Sequence, residues 1–269
     1  MPMATLPALD LYYEVHGAPT APPLVLVHGA TETFRSGWQE QIPAFSRRYQ
    51  VIGLDLRGHG RSTNPAGRLD LRQMADDVRD LLDYLGHDRV HLLGFSGGAS
   101  VALFFATRHL ARLWSLVLVS NNMELDPTRL EANFWDVERV RRQEPRWWAS
   151  LAAMHELPVA QLLRWWAEED AQRPDFTPAE MAMVAVPVLV VGGDRDPIVP
   201  LAETLKLFRA LPDAYLSILP GMGHGAPRRR PLAFNQVVLD FLAYVEHRRH
   251  GGGWTGSPRQ QGGKRNDLE

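Results

Sequence analysis

The chain has 269 residues, 45% hydrophobic and 22% charged, with a formal net charge of −2. That balance suits a globular protein built around one large core and offers no basic field for nucleic acid or an anionic membrane surface. The absence of cysteine excludes disulfides, thiolate metal sites and a cysteine nucleophile.

The N-terminus, Met1-Pro2-Met3-Ala4-Thr5, lacks the basic start and apolar core of a signal peptide. No run of residues approaches the length of a membrane span. The reading is a soluble, cytoplasmic protein.

Residues 9–15, rich in β-forming side chains, predict an exposed strand, and 19–23 a proline turn. The run Leu24-Val25-Leu26-Val27 is apolar without alternation, as in a strand covered on both faces, and it ends in His28-Gly29-Ala30. A helix is expected over 37–49, with Trp38, Ile42 and Phe45 at helical spacing, then a buried strand over 51–54. Leu71, Met74, Val78, Leu81, Leu82 and Leu85 fall on one face of a helix that Gly86 can stop.

Strands are expected at 90–93, 115–119, 187–191 and 215–219, and helices over 99–109, over 202–211 and from Leu232 to Val245. Strands alternating with helices predict an α/β fold, a mostly parallel central sheet with helices on both faces. The core is expected over 1–121 and 187–249, and a helical lid over 122–186 holding Trp135, Trp147, Trp148, Trp165 and Trp166. Most of these tryptophans are read as packing, with one or two lining an apolar pocket. Arg139, Arg141 and Arg142 are read as solvated. Residues 250–269, glycine-rich and then polar, are read as a disordered tail.

The chemistry centres on Gly94-Phe95-Ser96-Gly97-Gly98, a G-x-S-x-G turn between a strand and a helix. So sharp a turn leaves no room for larger side chains at 94 and 98. It puts the serine oxygen above the sheet edge and the N–H of Gly97 at a helix start, where unpaired donors can hold an anion. A serine hydroxyl needs a base, and the base a carboxylate to orient it. His224, in the glycine-rich loop 220–225, is the candidate base.

Asp196 is the preferred acid. Asp194 is expected to bond nearby backbone N–H groups instead, and Asp126 is a third choice. Gly97 and Ala30 N–H groups are the candidate oxyanion donors. His28 is expected to shape its loop and His59 to be structural. No H-x-x-x-H spacing suggests zinc, and no cofactor is implied.

Taken together, His28-Gly29, Asp55-x-Arg57-Gly58-x-Gly60-x-Ser62, Gly94-x-Ser96-x-Gly98, Asp194-x-Asp196-Pro197-x-x-Pro200 and Gly223-His224 resemble the α/β-hydrolase superfamily over about residues 24–245. From Gly94 through the lid the chain is similar to the valacyclovir (biphenyl hydrolase-like) hydrolases, and also to small carboxylesterases and cofactor-free haloperoxidases. The resemblance puts Ser96, Asp196 and His224 in the triad positions.

In the valacyclovir hydrolases an aspartate follows the nucleophile and holds the substrate's amino group. Here that residue is Gly97, which implies a neutral, apolar acyl group. The expected activity is hydrolysis of a small to medium carboxylic ester. Thioester, lactone, amide or carbon–carbon cleavage and perhydrolysis remain open on the same machinery. A non-catalytic small-molecule-binding protein is the reading from another class.

Overall fold

The computed structural model describes residues 2–124 and 134–251. Asp126 and residues 252–269 of the expected tail lie outside them. Among the described residues eight strands form one sheet: β1 (Met3–Leu6), β2 (Leu9–His16), β3 (Pro23–Val27), β4 (Gln50–Leu54), β5 (Val90–Phe95), β6 (Leu113–Val119), β7 (Val188–Gly193) and β8 (Ala214–Leu219). Their spatial order is β1-β2-β4-β3-β5-β6-β7-β8. Pairing is antiparallel at β1–β2 and β2–β4 and parallel from β4 to β8.

The apolar runs without alternation became the inner strands: every residue of β3, β4 and β5 is buried. β1 was not foreseen. Only four residues long, it buries Ala4 and Leu6 and pairs with β2 across a turn at residues 7–8.

Helices cover both faces. On one lie α1 (Phe34–Trp38) and α2 (Ile42–Phe45), whose Phe34, Trp38, Ile42 and Phe45 pack with Phe234, Phe241 and Val245 of the C-terminal helix. On the other lie α3 (Leu71–Leu85) and α4 (Gly97–His109).

The single helix expected over 37–49 is two short ones. Pro43 lacks an N–H and disfavours helical geometry before it. The break leaves the Gln41 amide free to donate to Pro227 O and Asn235 Oδ1, both at 2.9 Å. Asp70 caps α3 by accepting from Arg72 and Gln73 N–H, and Gly86, at φ 75°, ends it.

Four further helices lie in the described part of the insert between β6 and β7: α5 (Val137–Gln143), α6 (Pro145–Met154), α7 (Val159–Gln172) and α8 (Pro178–Ala182). After β7 come α9 (Leu201–Ala210), α10 (Ala226–Arg229) and α11 (Pro231–Arg249). α10, directly after the His224 loop, was not foreseen. Leu232, expected among the residues marking the last helix, is 86% exposed. Among the described residues no helix is long and apolar enough to cross a membrane.

Neighbouring strand order reverses at β3, with β4 on one side and β5 on the other, which is where such sheets open a crevice at their carboxyl ends. The elbow fits there only without side chains. A Cβ on Gly94 would lie 2.3 Å from Gly98 O, and one on Gly98 2.2 Å from His28 O. Gly98→Ala is therefore expected to cost at least about 2 kcal/mol by overpacking against backbone. Urea denaturation of the variant checks this, and an unchanged midpoint would contradict it.

Candidate active site

β5 ends at Phe95 and α4 begins at Gly97, so Ser96 alone makes the turn. Its φ of 53° is one that side-chain-bearing residues adopt at a cost of order 1–3 kcal/mol. Ser96 N–H donates to Val119 O at 2.9 Å, and its carbonyl accepts from Ala99 and Ser100 at 2.8 and 3.1 Å. The turn is thereby bonded to β6 on one side and to its own helix on the other.

The loops after β7 and β8 bring in Asp196 and His224. Ser96 Oγ is 2.8 Å from His224 Nε2, and His224 Nδ1 is 2.9 and 3.2 Å from the two Asp196 oxygens. An ionised carboxylate only accepts, so Nδ1 carries the proton and Nε2 is left to accept from the serine hydroxyl. Asp196 Oδ1 also accepts from the N–H groups of Ile198 and Val199, at 2.9 and 3.0 Å. Burial pushes this carboxyl up, but His224 and the two N–H groups outweigh it and hold it below the usual value. Asp194 accepts from Met222 N–H at 3.1 Å. The partner is not a local turn group but the loop that carries His224.

Ala30 and Gly97 abut beside the serine. A Cβ on Gly97 would meet Ala30 Cβ at 3.1 Å and the Trp166 ring at 3.0 Å, so the site has little room for an aspartate there. Among the described residues, neither N–H donates to a protein acceptor. His28 is fully buried between Gly29 O, 2.8 Å from Nδ1, and Leu56 N–H, which donates to Nε2 at 2.9 Å. Burial holds it well below the usual imidazole range, as an uncharged brace of its loop.

His59 is also fully buried. Its Nδ1 lies 2.9 Å from Arg57 O, and its Nε2 lies 2.6 Å from Ala30 O and 3.0 Å from Trp166 Nε1. Arg57 itself forms a buried two-pronged pair with Asp77, at 2.7 and 2.6 Å.

Several contributors could not be read from the sequence. His155 accepts from Gly60 N–H at 2.8 Å and lies 3.2 Å from Thr31 O, pinning the insert to two core loops. Glu32 accepts from Gly29 N–H at 3.1 Å and pairs with Arg228 of α10, linking the Ala30 loop to the segment after His224.

A cavity of about 180 Å³ lies against Ser96, with an apolar wall of Leu71, Trp135, Trp147, Trp166, Ile198 and Val199. Three tryptophans thus line it, where one or two were expected. Arg139 is not simply solvated: it donates to Glu144 at 2.8 Å and to Phe134 O at 2.5 Å. Arg141 and Arg142 are exposed, as expected.

Comparison with known proteins finds chains similar to this one. Residues 22–153 match the family model described as alpha/beta hydrolase fold, and residues 160–252 the one described as TAP-like protein. A putative carbamate hydrolase RutD of Caulobacter sp. (strain K31) is 30% identical over 262 residues, covering 87% of this chain and 96% of the relative. Among solved structures, the enol-lactonase from Burkholderia xenovorans LB400 is 25% identical with a TM-score of 0.76, covering 90% of this chain and 100% of that one. A thermophilic esterase from Thermogutta terrifontis is 28% identical with a TM-score of 0.78, covering 91% and 98%.

The buried histidines set a pH dependence. Burial, and after it the neighbouring His155, push His59 down to about 4, whereas an unfolded imidazole titrates near 6.5. Between these values the unfolded chain binds a proton that the folded chain refuses, so stability rises with pH. The contribution is complete above about pH 6.5 and is lost as pH falls toward 4, on the order of 3 kcal/mol for His59 alone. Urea titrations at stepped pH should show this fall, made shallower by His59→Gln. Stability level from pH 7 to pH 4 would contradict it.

Proposed function

The chain belongs to the α/β hydrolase fold family, and on that premise we propose that it is a serine hydrolase cleaving small to medium carboxylic esters through Ser96, His224 and Asp196. One observation carries the reading: the unbroken hydrogen-bond chain from Ser96 Oγ through the imidazole to the Asp196 carboxylate. In this reading Ser96 attacks the ester carbonyl while His224 Nε2 takes its proton. Asp196 keeps the proton on Nδ1 and stabilises the imidazolium that forms.

The oxyanion sits between Ala30 and Gly97 N–H, held by donors already in place before charge develops. His224 then protonates the departing alcohol and draws a proton from water, which releases the acid and restores Ser96.

The insert serves as the lid, its tryptophans giving the apolar wall against which the substrate's carbon skeleton packs. No step requires a cofactor. A second reading is lactone hydrolysis, favoured by the structural likeness to an enol-lactonase; a lactone is an internal ester, and the same steps open it.

Ser96→Ala should lower kcat on p-nitrophenyl acetate or butyrate by at least about 10³-fold with the fold intact. Asp196→Asn should lower it on the order of 10⁴-fold by permitting the wrong tautomer. Steady-state kinetics with circular dichroism of the same samples checks both. Wild-type rates in the Ser96 variant would end the mechanism.

A further inference from the structure

Among the described residues two that carry a side chain have a positive φ, Ser96 at 53° and Ser120 at 50°. The elbow accounts for the first, and nothing in the proposed mechanism uses the second. Ser120 directly follows β6, lines the cavity and is 1% exposed. Such a φ persists only where the surroundings over-determine it, and residues held that way gather at functional sites. Glycine would take the same φ freely, so what a serine adds here is its hydroxyl.

That hydroxyl donates to the backbone carbonyl of His224 at 3.4 Å. Among the described residues no other hydrogen bond reaches the main chain of His224. The loop before it is tied at Met222, whose N–H donates to Asp194 Oδ1 at 3.1 Å and whose carbonyl accepts from Arg195 N–H at 2.9 Å. The chain after it is tied at Gly225, whose carbonyl accepts from Arg228 and Arg229 N–H at 3.2 and 3.1 Å. Between these ties the histidine's own peptide depends on Ser120.

Ser120 is itself well anchored. Its N–H donates to Val191 O in β7 at 2.8 Å. Its neighbours on both sides are bonded to the elbow: Val119 O accepts from Ser96 N–H at 2.9 Å, and Asn121 Oδ1 accepts from Ser100 Oγ at 3.1 Å. Consecutive residues at the end of β6 thus hold the main chain of Ser96 and the main chain of His224.

The geometry assigns Ser120 as a positioning residue that sets the approach of His224 to Ser96. This rests on the serine-hydrolase reading. Asp196 fixes the imidazole from its Nδ1 side, and Ser120 fixes the main chain from which the ring hangs. With both ends held, Nε2 stands 2.8 Å from Ser96 Oγ. A base displaced from that position loses proton transfer and leaves substrate binding intact, so the hydroxyl acts on kcat.

Two variants separate the hydroxyl from the strain: Ser120→Ala removes the hydroxyl and keeps the costly φ, whereas Ser120→Gly removes both. In urea, Ser120→Gly should unfold at a higher midpoint than Ser120→Ala. Both should nevertheless lose kcat on p-nitrophenyl butyrate by at least about tenfold, with KM within about twofold of the wild type. A merely structural role predicts instead that activity returns in Ser120→Gly together with stability. That result, or wild-type kcat in both variants, would overturn the assignment.

A second readout needs no turnover. The Nδ1 proton held between His224 and Asp196 gives a downfield proton resonance in nuclear magnetic resonance spectra, and it should shift or broaden in both variants. A resonance unmoved in both would overturn the assignment. A resonance that moves in a chain whose wild type hydrolyses no ester would support the positioning role and count against the hydrolase reading alone.

Discussion

The site depends on a single-residue turn. Ser96 must leave β5 and enter α4 with no linker, and it does so at a positive φ held by bonds to Val119 and to the first turn of the helix. The strain is tolerated because the surroundings leave no alternative. Gly94 and Gly98 are in backbone contact with each other, and Gly98 lies against the His28 carbonyl. Packing at that distance places the hydroxyl, the first N–H of α4 and the Ala30 loop together, so one constraint sets the geometry of the proposed nucleophile and the proposed oxyanion donors at once.

Around that turn the loops are bonded to one another. Asp194 holds Met222, and Asp196 holds both His224 and the backbone of its own loop. Glu32 joins the Ala30 loop to α10, while His59 and His155 connect core loops to the insert through Trp166, Gly60 and Thr31. His28, His59 and His155 are buried, and burial pushes all three below the usual imidazole range, so they act as fixed dipoles rather than as titrating bases. In the proposed mechanism this division leaves His224, at the cavity, as the proton carrier.

Much of this was legible before the structure because its signals are local. Apolar runs without alternation mark covered strands wherever they occur, and glycine at 94 and 98 announces a steric demand of the turn itself. The strand-end positions of Ser96, Asp196 and His224 then follow from strand order. Other features were hidden for physical reasons. The helix over 37–49 split because Pro43 outweighed an apolar spacing that matched both alternatives. β1 is too short to show periodicity, and its stability comes from pairing with β2. The Glu32–Arg228 pair, the anchoring of His155 and the meeting of Arg173 with Ser100 join residues far apart in the chain. No spacing rule reaches such contacts; only the folded packing creates them.

The central claim is that Ser96 Oγ becomes covalently acylated. The most direct measurement is rapid acid quench during turnover of a slowly deacylating ester, p-nitrophenyl trimethylacetate, followed by peptide mass spectrometry. The account predicts one trimethylacetyl group per chain, carried by Ser96 and formed in step with the burst of nitrophenol. Steady release of nitrophenol with an unmodified Ser96 peptide at every quench time would contradict it.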